Sequence, residues 1–236
     1  MLQVDLHSHS LFSRCGIHTV IEMLSAAKAR GMAGLAITDH GPELDSWVNS
    51  PFYERLMDPV PGIRLVKGIE ANFRGLDGEI DVPMDWVKWM DLVLLGIHPN
   101  TPKGRGRDVY TRLVVTAIER YACVDIITHP TETEYPVDLD AVAHAAAARG
   151  VALELNNSRI QLSRTGDEVA RELLHACVRA RCRIAVCSDA HALNEIGCDD
   201  AAQRTIEAAA FPRELIVNRD AVAAFSFVGE RRAGKR

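Results

Sequence analysis

Almost every short apolar run in this chain that reads as a strand ends in a histidine or a carboxylate. His7 and His9 follow the run at Leu2–Leu6, and Asp39 and His40 follow the run at Leu35–Thr38. Glu70, His98 and His129 close the next three runs, and Asp189 and His191 close the last. One such residue is ordinary. Residues spread over so much of the sequence act together only if the strand ends meet, which a sheet curled on itself achieves. Imidazoles and carboxylates are side chains that hold divalent ions, so the pattern predicts a barrel-like sheet whose carboxyl ends converge on a metal cluster.

The runs alternate with longer segments of helical periodicity. Strands are expected at Leu2–Leu6, Leu35–Thr38, Arg64–Ile69, Leu92–Ile97, Val124–Thr128, Val151–Leu155 and Ile184–Cys187. Helices are expected at about 20–30, 107–121, 138–149, 166–181 and 199–209. Continuous apolar strands alternating with helices fit a parallel sheet covered on both faces. Gly31, Gly34 and Gly150 fit helix ends and the turns that follow them. An open doubly wound sheet would gather its ligands at one topological switch, whereas here nearly every strand end contributes. The expected fold is therefore α/β, a seven-stranded (β/α)7 barrel.

Bulk properties remove several alternatives. A chain of 236 residues with 47% hydrophobic residues fills one sizeable core. Lys+Arg 27 against Asp+Glu 32 leaves a formal charge of -5, and no basic-aromatic stretch marks a groove, so long nucleic acid is not a favoured partner. The six cysteines lack the dense spacing of a disulfide scaffold, and most read as buried thiols in a reducing compartment. The chain enters a strand directly, with no basic and apolar leader and no apolar run near 18 residues, so a cytoplasmic enzyme without a membrane partner is expected. The sequence leaves the oligomeric state open.

Within Asp5-Leu6-His7-Ser8-His9, the two-residue period of a strand puts Asp5, His7 and His9 on one face. The two imidazoles can grip one ion, with Asp5 orienting a ligand histidine, contacting the site from behind the ligands, or making a structural hydrogen bond. At Ile37-Thr38-Asp39-His40-Gly41-Pro42 the apolar run gives way to a turn, making His40 a ligand candidate and Asp39 a neighbouring ligand or its support. Glu70 is the first carboxylate after the third run, and its two oxygens allow it to bridge two ions. Glu79 and Asp81 in the following loop read as solvated. His98 and His129 each stand just before a proline that stops the strand, and Asp189 and His191 end the last run two positions apart. No GxGxxG or GxxxxGK loop is present, so no glycine-rich phosphate cradle is expected.

The ordered set DLHSHS at 5–10, ITDHGP at 37–42, GIEAN at 68–72, GIHP at 96–99, IITHP at 126–130, ELNNS at 154–158 and SDAH at 188–191 resembles the polymerase-and-histidinol-phosphatase (PHP) domain family. Within it, the small stand-alone phosphatase-like branch is the most similar. The resemblance runs from residue 3 to about 222, so a single domain over 1–225 is expected, followed by a basic, flexible tail over 226–236. It implies a distorted seven-stranded barrel holding three divalent ions, zinc or manganese. Transferred by position, it places His7, His9, Glu70 and Asp189 around one ion, Glu70, His98 and His129 around a second, and His40 and His191 at a third. At that third site the chain departs from the pattern, because Cys15 stands where an imidazole is expected. Cys15 as a thiolate would favour zinc, and His18 is the other residue able to complete the site.

The implied activity is a metal-dependent phosphatase acting on a small soluble phosphomonoester, with hydroxide generated at the ions attacking phosphorus. Arg14 and Arg159 are the candidate phosphate-binding residues, and Lys103, Arg105 and Arg107 could form a positive rim. Two other readings stay open: a phosphodiesterase or nucleotide-end exonuclease using the same ions, and a metal-stabilised binding or regulatory domain without turnover.

Overall fold

Gly-Leu-Ala-Ile at 34–37 and Leu-Val-Leu-Leu-Gly at 92–96 carry no polar alternation, and burial on both faces is the reason. The computed structural model describes residues 1–235. Seven parallel strands run in sequential order: β1 (Val4–Asp5), β2 (Gly34–Ile37), β3 (Arg64–Asn72), β4 (Leu92–Gly96), β5 (Ile126–Ile127), β6 (Ala152–Asn156) and β7 (Ile184–Cys187). The sheet nearly closes. At its carboxyl end Ser8 pairs with Ala190, His9 N donates to Ala190 O at 2.8 Å, and Asp189 N donates to His7 O at 3.1 Å. Deeper in the seam between β7 and β1 one side chain replaces the ladder: Asn218 donates to Val4 O and Val186 O and accepts from Val186 N.

Helices cover the outside: α1 (Val20–Ala29), α2 (Ser50–Arg55), α3 (Arg107–Arg120), α4 (Leu139–Ala148), α5 (Asn157–Gln161), α6 (Asp167–Ala180), α7 (Asp200–Ala208) and α8 (Ala221–Ala233). Local chemistry sets several starts. Thr19 and Glu22 form a reciprocal capping box on α1, and Asp138, Asn156 and Asp220 cap α4, α5 and α8. Between β3 and β4 the only helical turn is a 3-10 segment, Met84–Trp89, so one barrel unit lacks its full helix. This unequal covering, with an incomplete ladder at the seam, makes a distorted (β/α)7 barrel.

Val4, Leu6, Ala36, Val66, Leu94, Ile126, Ala152 and Ala185 form one buried cluster, distinct from the cluster packed under α3, α4 and α6. Ala224, Phe227 and Val228 of α8 join that cluster and cover one end of it. The segment expected as a flexible tail from 226 therefore continues as helix through Ala233. Its basic residues are engaged: Arg231 pairs with buried Asp125 at 2.8 Å, and Lys235 contacts the same carboxylate. The basic composition suggested solvent, but Asp125 and nearby backbone carbonyls supply partners that composition does not reveal.

Candidate metal centre

Glu70 lies four residues beyond Val66 along β3, and Glu154 two residues beyond Ala152 along β6. The period of two thus carries both carboxylates onto the face that buries Val66 and Ala152. Glu70 is fully surrounded. Its Oε2 lies 3.4 Å from His7 Nε2, 3.3 Å from His9 Nε2 and 3.0 Å from His40 Nδ1. Its Oε1 lies 3.2 Å from His98 Nε2 and 3.1 Å from His129 Nε2 and accepts from Thr128 Oγ1 at 2.7 Å. One carboxylate therefore faces two sets of imidazoles with its two oxygens.

The first set fits a cation. His7 Nε2 and His9 Nε2 are 2.9 Å apart, and Asp189 Oδ1 lies 3.5 Å from the first and 3.2 Å from the second. A tetrahedron of donors about 2.1 Å from a central ion has edges of about 3.4 Å. The contacts among His7, His9, Glu70 and Asp189 match those edges. The opposite ring nitrogens explain which atoms converge: His7 Nδ1 sits 2.6 Å from Glu154 Oε1, and His9 Nδ1 sits 2.9 Å from Ser13 Oγ. Ser13 Oγ already donates to Asp39 Oδ1, so it accepts from His9. Both Nδ1 atoms are then donors, and both Nε2 lone pairs face the same point.

Charge follows the same logic. Burial alone would raise the Glu70 carboxyl, but His98, His7 and His40 hold it well below the usual carboxylate range. Asp189 is likewise held low against its burial by His7 and His9. Burial would lower His7, yet Glu154, Glu70 and Asp189 push it well above its usual value. The cluster thus attracts positive charge. His98 goes the other way: burial outweighs Glu70 and lowers it to about 3, leaving a neutral imidazole. Its Nε2, which faces Glu70 Oε1, is buried without a hydrogen-bond partner, as befits a nitrogen whose partner is an ion, and the Nδ1 atoms of His98 and His129 are also buried without one.

A third group gathers at the mouth, where Cys15, His9 and His40 bring ligand atoms within 4.8 Å of one another. Burial would raise the Cys15 thiol, but hydrogen bonds with His191 and His40 bring it down to about 5. Cys15 is exposed at this opening. His18 precedes the Thr19 cap of α1 and does not line the cavity. The cavity, about 480 Å³, is lined by His40, Glu70, His98 and His191 together with both candidate phosphate residues, Arg14 and Arg159.

Several other residues named from the sequence lie outside the cavity wall. Regular β1 ends at Asp5, whose buried carboxylate makes structural hydrogen bonds, accepting from Ser188 N and Gly197 N beside β7 and from His7 N at 3.4 Å. Asp39 binds Ser10 and Ser13 and supports the loop that carries Cys15. Asp81, expected in solvent, is buried and accepts from Asn72 and Glu43 N. Lys103 and Arg107 pair with Glu134 and Asp138 away from the cavity wall. Asn157 Oδ1 caps the start of α7, while Asn156 Nδ2 contacts both Glu154 and Asp189.

Sequence reasoning did not single out Glu154, whose Oε1 meets His7 and whose Oε2 accepts from His129 N at 2.7 Å. Its position one strand period past an interior alanine was the available signal. Two features have no sequence signal. His129 (φ 32) and Asp189 (φ 55) adopt left-handed backbone, which non-glycine residues occupy at a cost and which recurs at functional sites. Gly96 is required by proximity: a Cβ there would lie 2.4 Å from Thr128 Oγ1 and 2.7 Å from His98 Cε1.

Residues 5–158 match the PHP domain family. A “Probable phosphatase” of Shewanella sp. (strain ANA-3) is 36% identical over 235 residues, covering 97% of this chain and 92% of the relative. Another “Probable phosphatase”, from Shewanella sediminis (strain HAW-EB3), is 37% identical over 235 residues, covering 97% of this chain and 94% of the relative. Among solved structures, histidinol phosphate phosphatase from Lactococcus lactis, complexed with zinc, L-histidinol and phosphate, superposes with a TM-score of 0.64 at 15% identity. That match covers 89% of this chain and 94% of the other. A chain of archaeal ribonuclease P with mature tRNA superposes with a TM-score of 0.61 at 16% identity, covering 97% and 90%. These two likenesses concern the fold. With a family match over residues 5–158 and close relatives spanning nearly its whole length, the chain belongs to the PHP domain family.

Proposed function

We propose that this protein is a phosphatase that hydrolyses small, soluble phosphomonoesters with divalent ions held at the carboxyl end of its barrel. The observation that carries this reading is Glu70, whose oxygens face His7, His9 and His40 on one side and His98 and His129 on the other. His7, His9, Glu70 and Asp189 would hold one ion, and Glu70, His98 and His129 a second. Cys15, His40 and His191 would hold a third. Zinc or manganese suits the nitrogen and oxygen donors, and the thiolate favours zinc at the third position. Such ions supply Lewis acidity toward phosphate oxygens and make water nucleophilic at neutral pH.

The chain's own residues set the rest. Glu154 holds the His7 ring and the His129 backbone together, fixing two ligand candidates that come from opposite sides of the barrel. Arg14 and Arg159 bring positive charge to the cavity wall, where a phosphate dianion would be received. The cavity is of a size for a small molecule, and the phosphatase relatives and the phosphate-bound neighbour accord with a phosphorylated one. Six free cysteines accord with a cytoplasmic setting. Among the described residues, no helix is long and apolar enough to cross a membrane.

The test is turnover on matched substrates. Metal-loaded protein is expected to release inorganic phosphate from sugar, amino-alcohol or aromatic monophosphates, with the corresponding diesters turned over poorly. Preference for the diesters would reverse the assignment. Release from neither class would leave a binding domain.

A further inference from the structure

Arg159 is the one cavity-lining arginine that is also half-buried, and it is held from behind. Its Nη1 lies 2.5 Å from Glu132 Oε2, and its Nε lies 3.8 Å from Asp189 Oδ2. Glu132 itself does not line the cavity that Arg159 lines. Both ends of the pair are tied to the centre. Glu132 N donates to His129 O at 3.1 Å, closing a turn through Pro130 that starts at a ligand candidate. Arg159 N donates to Asn156 Oδ1, and Asn156 Nδ2 donates to Asp189 Oδ2 at 3.1 Å. The two loops are also joined beside the pair, where the Thr131 and Thr165 hydroxyls meet at 2.9 Å.

Arg14 offers a contrast. Its side chain is half exposed, it reaches the Asp45 carbonyl at 3.2 Å, and its Asp45 carboxylate contact is only 4.0 Å. An exposed arginine of that kind loses much side-chain freedom when it grips an anion. Arg159 has lost that freedom already, so an anion placed beside Asp189 meets a guanidinium with its direction fixed.

We infer that Glu132 is a positioning residue: by gripping one edge of Arg159 it presents the remaining guanidinium N–H groups to a phosphate in the metal cavity. This deepens, and rests on, the phosphomonoesterase reading. Glu132 touches no substrate in this scheme. Its carboxylate orients Arg159 and tempers its charge, so that the arginine holds phosphate without folding down onto Asp189, whose oxygen is wanted at the ion.

The experiment measures binding of inorganic phosphate to metal-loaded protein by calorimetry, beside KM, kcat, metal content and thermal midpoint. The variants are Glu132→Gln, Glu132→Ala, Arg159→Lys, Arg159→Ala and the Glu132→Ala/Arg159→Ala double variant. Glu132→Ala is expected to weaken phosphate binding and raise KM by roughly tenfold, with metal content kept and kcat changed less. Glu132→Gln, which keeps a hydrogen-bond acceptor, should recover part of that loss. Arg159→Lys should not restore it, because an ammonium lacks the planar fork. Once Arg159 is alanine, removing Glu132 should have no further effect on phosphate affinity. Wild-type phosphate affinity in Glu132→Ala would overturn the inference even if the variant melts earlier, since a purely structural latch would change only the melting temperature. Failure of wild-type, metal-loaded protein to bind phosphate or turn over monoesters would instead overturn the underlying phosphatase reading, and the inference with it.

Discussion

Replacing Glu70 by Gln tests the bridge with minimal change of shape. The carboxylate approaches five imidazoles at 3.0 to 3.4 Å, three through Oε2 and two through Oε1. In the amide one of those oxygens becomes an NH2 group, which donates hydrogen bonds and offers no lone pair to an ion. The unit negative charge shared by both sets also disappears. Loss of a supporting partner behind a metal ligand typically costs about 10–100-fold in affinity, so loss of a direct ligand should cost at least about 100-fold at each of two positions. That is about 2.7 kcal/mol per position. Turnover requires both, and a fall of at least about 1000-fold is expected. Metal content would be measured after equilibration in a zinc buffer, alongside phosphate release and circular dichroism. Glu79→Gln is the control, since Glu79 is exposed in the neighbouring loop. Equal metal content and equal turnover in the two variants would refute the bridging role.

Cys15→Ser should remove one ion selectively, and in cobalt-substituted protein it should abolish the thiolate-to-metal charge-transfer band; a wild-type protein without that band would assign Cys15 to packing. Metal loading at pH 7 should release protons. Burial opposes it, but Glu70 raises His40 to about 10, and the Cys15 hydrogen bond and Asp189 raise His191 to about 9, so both imidazoles must deprotonate to bind. Apparent metal affinity should therefore rise with pH up to that range, and calorimetry in buffers of different ionisation enthalpy that detected no proton release would contradict this. In metal-free protein the sign for stability is opposite: the contribution of these two groups is full below about 6.5 and is lost as pH rises through about 9 to 10. Ending the chain at residue 225 removes buried Phe227 and Val228 and the Arg231–Asp125 pair. It should cost at least about 3 kcal/mol, which is a melting-point fall of at least about 6 °C, and an unchanged midpoint would show that the end of α8 contributes nothing.

The strand pattern carried most of the architecture. All seven strands and five of the longer helices were legible because parallel strands with two buried faces are written as unbroken apolar runs. The short α2 and α5 were not, since helices of six and five residues have too few turns to show a period. Helix α8 was masked by its basic end, whose partner Asp125 lies more than a hundred residues away.

The candidate ligands were legible for a related reason. Histidine and carboxylate at strand exits announce themselves, and His7, His9, His40, Glu70, His98, His129, Asp189 and His191 all come together in the barrel mouth. What orients them was harder to read. Glu154 meets His7 and His129, Ser13 meets His9 and His40, and Thr128 donates to Glu70, and nothing in their own segments marks those pairings. Asp5 was legible only in part, because it accepts from His7 N nearby but its other partners, Ser188 and Gly197, lie more than 180 residues away.

Activity before and after metal removal tests the central claim most directly. Phosphate release from a monophosphate and from its matched diester would be followed in purified protein, in chelator-treated protein, and in treated protein reloaded with zinc or manganese. The account predicts monoester turnover that chelation abolishes and reloading restores, with little diester turnover throughout. Monoester turnover that survives complete metal removal would contradict it.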